Sequence, residues 1–205
     1  MATHAKEQNP NRPGLSRSSG GNFHARETQD PSSATQTVLQ RAGEFIQQRD
    51  YVSAAELLRS AGHDLQVRNL LGICLMRIGE YEQAVQVFRQ VVLAPGGIQL
   101  RTDIDNCWKR NFATALLLKG LPSGALEVLA EIPDDVDSLR TAQIRSAIVK
   151  WERTLSLFRW LDWKLNKIEP RNCRVPIDFE PGELDFDGVL PRPNLPSRSN
   201  ISLAA

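Results

Sequence analysis

LGICLMRIGEYEQAVQVF, residues 71–88, reads as two short helices joined by a turn. Leu71, Leu75 and Ile78 recur at helical spacing, Gly79 and Glu80 interrupt, and Ala84, Val85, Phe88, Val91 and Val92 begin a second apolar stripe. Two stripes that each need a partner face, with only a turn between them, predict a helical hairpin. Gly72 removes a side chain where a small residue opposite, such as Ala84, would let the helices approach closely, with Tyr81 and Phe88 filling the wider gaps.

The same pattern recurs on both sides. Upstream, Val38, Ala42, Phe45 and Ile46 form one stripe and Tyr51, Ala54, Ala55, Leu57 and Leu58 another. A shift of 30 residues places Tyr51 on Tyr81, Ala54 on Ala84 and Leu58 on Phe88, with Arg49 standing where the middle copy has Gly79. Downstream, a shift of 41 places Gly72 on Ala113, Gly79 on Gly120, Ala84 on Ala125 and Phe88 on Leu129, while Tyr81 becomes Pro122. Proline is compatible with a helix start because its missing N–H would be unpaired there anyway. The extra length of the third copy is LAPGGIQLRTDID, residues 93–105, read as a tolerated insertion rather than a binding loop, since loops lengthen at small entropic cost. Asp64, after Gly62 and His63, is placed to cap the next helix; His63 has no second ligand nearby and reads as a turn residue.

Three unequal copies carrying Leu71, Gly72, Gly79, Tyr81, Ala84 and Phe88 in the middle one resemble the tetratricopeptide repeat, whose usual period is about 34 residues. The resemblance covers residues 35–132, fullest in the second copy, fair in the third and weak in the first. It implies an all-α solenoid of about three hairpins that binds a peptide or protein segment on the face made by the first helix of each repeat. Carried over by position, that groove shows Asn69, Ile73 and Met76 from the second repeat and Arg110, Thr114 and Leu117 from the third. The mixture suits an extended peptide with apolar anchors and one carboxylate contact to Arg110. The full basic and Asn set that some family members use as a carboxylate clamp is not present. Three repeats with flanking helices also look like type III secretion chaperones, relative to which the arm and tail described next are extra.

Residues 1–34 are dominated by Ser, Gly, Asn, Gln, Thr and Pro, and are expected to be a disordered arm, because burial could not offset the entropy of ordering them. The helical domain is expected over 35–168, closed by one long capping helix over about 136–168 whose seam is Ile144, Ile148, Trp151, Leu155 and Phe158. Trp160 and Trp163 fall off that seam and Asp162 falls on it, so the end of the helix bends or faces something new. Arg140, Arg145, Lys150, Arg153, Arg159, Lys164 and Lys167 oppose only Glu152 and Asp162, which makes 138–168 the one strongly biased segment. Residues 169–205 form a Pro-rich tail alternating apolar and acidic side chains. Its 175–190 portion is expected to dock, with Phe179 and Phe186 near Trp160 and Trp163 and with Asp178, Glu180, Asp185 and Asp187 facing the basic side chains.

With 25 basic against 24 acidic residues the net charge is +1, so no whole-chain field steers the protein to nucleic acid or membrane. Nucleophile, phosphate-loop and zinc motifs are missing from the sequence, and the acidic run from Asp178 to Asp187 lacks the ligand order of a calcium loop, so neither catalysis, cofactor nor metal is expected. Cys74, Cys107 and Cys173 have no paired spacing and read as reduced thiols; with no signal-like N-terminal stretch, a cytoplasmic protein is expected. The expected function is a protein-interaction adaptor. The alternative is a nucleic-acid or anionic-membrane binder using the basic helix, through Trp160, Trp163, Arg159 and Lys164.

Overall fold

Apolar spacings of three and four become helices throughout the computed structural model, which describes residues 31–97, 99–133 and 139–184. In order these are α1 (Pro31–Gln47), α2 (Tyr51–Ser60), α3 (Leu65–Arg77), α4 (Tyr81–Val92), α5 (Asn106–Lys119), α6 (Pro122–Ala130), α7 (Leu139–Glu152) and α8 (Leu157–Asn166). From α1 to α6 each helix packs on the next, and α3 also lies against α1 and α5, as α5 does against α7. The odd-numbered helices therefore share a face. The core between the layers is aliphatic, with Leu58, Val67, Leu75, Val85, Phe88, Leu117, Leu129, Ile144 and Ile148 essentially inaccessible to water. Among the described residues, no helix is long and apolar enough to cross a membrane.

Local chemistry sets the boundaries. Asp50, Asp64 and Asp105 each accept a backbone N–H in the first turn of the following helix, from Ser53, from Gln66 and Val67, and from Cys107. The second and third hairpins turn through Gly79 and Gly120 in the left-handed region (φ +88° and +89°), and the first turns through Arg49 at φ +61°. After α4 the chain turns back on itself: Leu93 bridges Leu100, Ala94 N–H donates to Gln99 O at 2.8 Å and Arg101 N–H to Val92 O at 2.8 Å.

Several expectations need correction. Helix α1 begins at Pro31, ahead of the expected boundary at 34, and the rest of the arm lies outside the described residues. Gly72 makes room for Phe88 rather than Ala84: a Cβ there would sit 2.6 Å from the Phe88 ring. Tyr81 fills no gap, being 36% exposed. The long helix over 136–168 is two helices. After Glu152 the chain tightens, with Thr154 N–H and Oγ1 both donating to Trp151 O (2.9 and 2.7 Å) and Leu155 N–H to Glu152 O, before Ser156 extends at ψ 155°. The apolar seam accordingly ends at Leu155, and Phe158 is 81% exposed.

Candidate functional site

Residues 169–184 return across the helical body. Glu169 accepts from Ser123 N–H and Oγ at the start of α6, supplying a cap that neighbouring Leu121 cannot. The Cys173 carbonyl lies directly on Gly120, and Val175 is buried in the core. Beyond Val175 the character changes. Across 176–184 no apolar side chain is fully buried: Ile177, Phe179 and Leu184 lie half-buried against the core, and polar contacts from α3, α5 and α7 hold the chain between them.

Those contacts centre on Glu183. Arg110 on α5 forks its carboxylate, Nε to Oε1 at 2.9 Å and Nη2 to Oε2 at 2.8 Å, with Arg140 of α7 at 3.6 Å. Asn111 grips the same residue's main chain from both sides: its Oδ1 accepts Glu183 N–H at 2.6 Å and its Nδ2 donates to Glu183 O at 3.0 Å. Asn69 on α3 accepts from that Nδ2 at 3.3 Å, which fixes the amide's orientation. One turn of α3 away, Ile73 is covered by Gly182, where a Cβ would come 2.7 Å from Ile73 Cγ2; Gly182 also has φ +82°. Arg77, at the end of α3, donates from Nε to Pro181 O at 3.0 Å and from Nη2 to Gly182 O at 3.3 Å, while Nη1 meets Glu180 at 3.0 Å and Tyr51 Oη at 2.9 Å. Phe179 lies under the Arg140 guanidinium, 4.7 Å from the ring centre, and Asp178 pairs with Lys150 at 2.6 Å.

Electrostatics follow from these pairs. The hydrogen bond to Glu183 raises the Arg110 pKa further, and the hydrogen bond from Lys150 holds Asp178 below the usual carboxylate range. Burial pushes the Cys107 thiol up to about 12, with the Glu183 charge adding to it, so this cysteine is a protonated, inert group beneath the Glu183 carbonyl. The acids of the tail meet separate cations, at Lys150, Arg77 and Arg110, instead of converging on one point. Among the described residues, no group of three or more His, Cys, Asp or Glu could hold a metal ion.

Of the six groove residues read from the sequence, Asn69, Ile73 and Arg110 come together at this seat. Met76 and Leu117 are buried in the core, and Thr114 is buried with its hydroxyl donating to Arg110 O at 2.8 Å. Arg77, Asn111 and Tyr51 were missed, because their partners lie 72 to 129 positions away. Phe179 lies on Arg140 and not near the α8 tryptophans where it was expected, and Asp185, Phe186 and Asp187 fall outside the described residues. Trp163 is no surface residue. It is fully buried, edge-on to Trp151 at 5.2 Å, with Nε1 donating to Glu152 at 2.6 Å. Trp160, Arg159 and Lys164 are exposed, Lys164 pairing with Glu152 at 2.7 Å. Residues 93–102 form one wall of an open cleft of about 1300 Å³ against α4, α5 and α6.

Comparison with protein-family models, curated proteins and solved structures finds no match to this chain.

Proposed function

We propose that the protein is a non-catalytic adaptor, a degenerate three-repeat, tetratricopeptide-like solenoid closed by α7 and α8, which binds an extended peptide or protein segment on the face of α3 and α5. The observation that carries this reading is the two-way grip of Asn111 on the main chain of Glu183 beside the Arg110 fork. A side-chain amide that both accepts from and donates to one residue's backbone holds extended chain of any sequence, and a guanidinium fork adds selection for a carboxylate. The three free cysteines suit a reducing compartment, and the adaptor is assigned to the cytoplasm on that ground.

Partners recovered with the tagged full chain and with an Asn69→Ala/Arg110→Ala chain, compared by mass spectrometry, test the assignment. The double variant is expected to lose the specific partners, and identical sets would refute the groove.

A second reading is favoured by one feature. Leu157, Phe158, Leu161, Leu165 and Ile168 point an apolar stripe to solvent from α8 and its end, among exposed Arg153, Arg159, Lys164 and Lys167. That combination suits an anionic membrane surface better than nucleic acid.

A further inference from the structure

We propose that residues 179–183, Phe-Glu-Pro-Gly-Glu, are a tethered stand-in for a partner's segment: the α3–α5–α7 face takes, in trans, a bent segment of the form aromatic, Glu, any residue, Gly, Glu, and the chain's own copy guards it. This rests on the adaptor reading and adds the ligand class and its regulation.

The contacts divide into those that read sequence and those that read backbone. Asn111 and Arg77 take the N–H and carbonyl of Glu183 and the carbonyls of Pro181 and Gly182, main-chain groups that any sequence able to bend at the glycine offers. Selection comes from three places. Arg110, with its side chain 9% exposed, accepts no substitute for a carboxylate without being left buried and unpaired. The position before it admits only glycine, because φ is +82° and a Cβ would drive into Ile73. An aromatic ring four residues before the glutamate lies under Arg140. Glu180 adds a fourth: its carboxylate pairs with Arg77, whose side chain is 8% exposed, and accepts from Tyr51 Oη at 3.3 Å.

The way the segment is held makes it detachable. Residues 169–175 are anchored by the α6 cap and by buried Val175, whereas beyond them Ile177, Phe179 and Leu184 are only half-buried against the core and the rest of the hold is polar. The seat is also not fully used: Nη1 of Arg110 and Nη1 of Arg140 are buried with no hydrogen-bond partner among the described residues. An anchor beside a polar reading strip gives a local ligand concentration in the millimolar range, which suppresses trans binding until the strip is weakened.

The test uses the full chain and a fluorescent peptide of residues 177–184, IDFEPGEL, followed by anisotropy. Glu183→Ala and, separately, Gly182→Ala in the chain release the strip, and each is expected to bind the peptide at least tenfold more tightly than wild type. Faster Cys107 labelling by a thiol reagent reports the release. Adding Arg110→Ala to either variant, or changing the peptide's Gly to Ala or its last Glu to Gln, is expected to abolish the gain. Folded, rapidly labelled variants that do not bind the peptide would overturn the proposal, as would variants whose Cys107 stays protected. Loss of fold in both variants overturns it too, because a detachable strip cannot carry the fold. Wild-type dimers that exchange the strip would give the face to a second copy and remove the separate partner. Failure here with partner capture still dependent on Arg110 discards this ligand class and keeps the adaptor.

Discussion

At Gly72 two opposing effects can be weighed. Alanine in a helix interior is favoured over glycine by about 1 kcal/mol. Yet the added methyl would press on the ring of Phe88, which is wholly buried and has no room to swing away. Overpacking of this kind costs about 1–3 kcal/mol. Gly72→Ala is therefore expected to lower stability by up to about 2 kcal/mol in urea unfolding, with Phe88→Leu restoring part of the loss; a more stable variant would show that the ring yields. The need for a small residue here was legible in the sequence from the hairpin pattern. Its occupant was not, because spacing shows which residues face inward but not which of them meet. Arg49 is the converse case: the thirty-residue shift placed it on a turn glycine, and it adopts that glycine's left-handed backbone.

At the scale of elements, the hairpins between residues 38 and 130 could be read from stripe and turn, and Asp64 was recognisable as a cap because its side chain acts on the next three residues. Trp160, Trp163 and Asp162 leaving the seam showed that the helix changes course, but the place of the break before α8 was hidden. It is made by Thr154 bonding to Trp151 and by Ser156 extending, residue types that also occur inside helices. Once broken, α8 turns Trp163 inward against Trp151 and Glu152 and leaves its apolar stripe outside. The full chain is expected to co-sediment with phosphatidylcholine vesicles containing phosphatidylserine, less so as salt rises. Each large side chain inserted contributes about 1.5–3 kcal/mol, so Leu161→Asp is expected to weaken sedimentation tenfold or more. Wild type remaining in the supernatant would dismiss the membrane reading of this helix.

Over the whole molecule, the tail divides into an anchor and a strip, and two truncations separate them. A chain ending after Pro176 keeps the Glu169 cap and Val175. One ending after Ile168 loses both, at about 1 kcal/mol for the cap and about 2 kcal/mol for the buried valine. The shorter chain is thus expected to be about 3 kcal/mol less stable than the longer one in chemical denaturation, and equal stability would deny the division. Alternating acidic and apolar residues revealed that the tail had something to bind, and the repeat register put Arg110 on the receiving face. What could not be read was that these two belong together. Arg110 and Glu183 are 73 positions apart, and the basic helix offered the tail a nearer set of cations.

That separation also has a meaning in time. Asn111 leaves the ribosome 72 residues before Glu183, a delay of about 4–15 s at ordinary synthesis rates. The helices that build the face are local structures able to form in far less than that. On the adaptor reading proposed above, the seat is complete once Arg140 of α7 has emerged, 43 residues ahead of Glu183, so a partner already present during synthesis would meet it unguarded for about 2–9 s, whereas one arriving later would have to displace the strip.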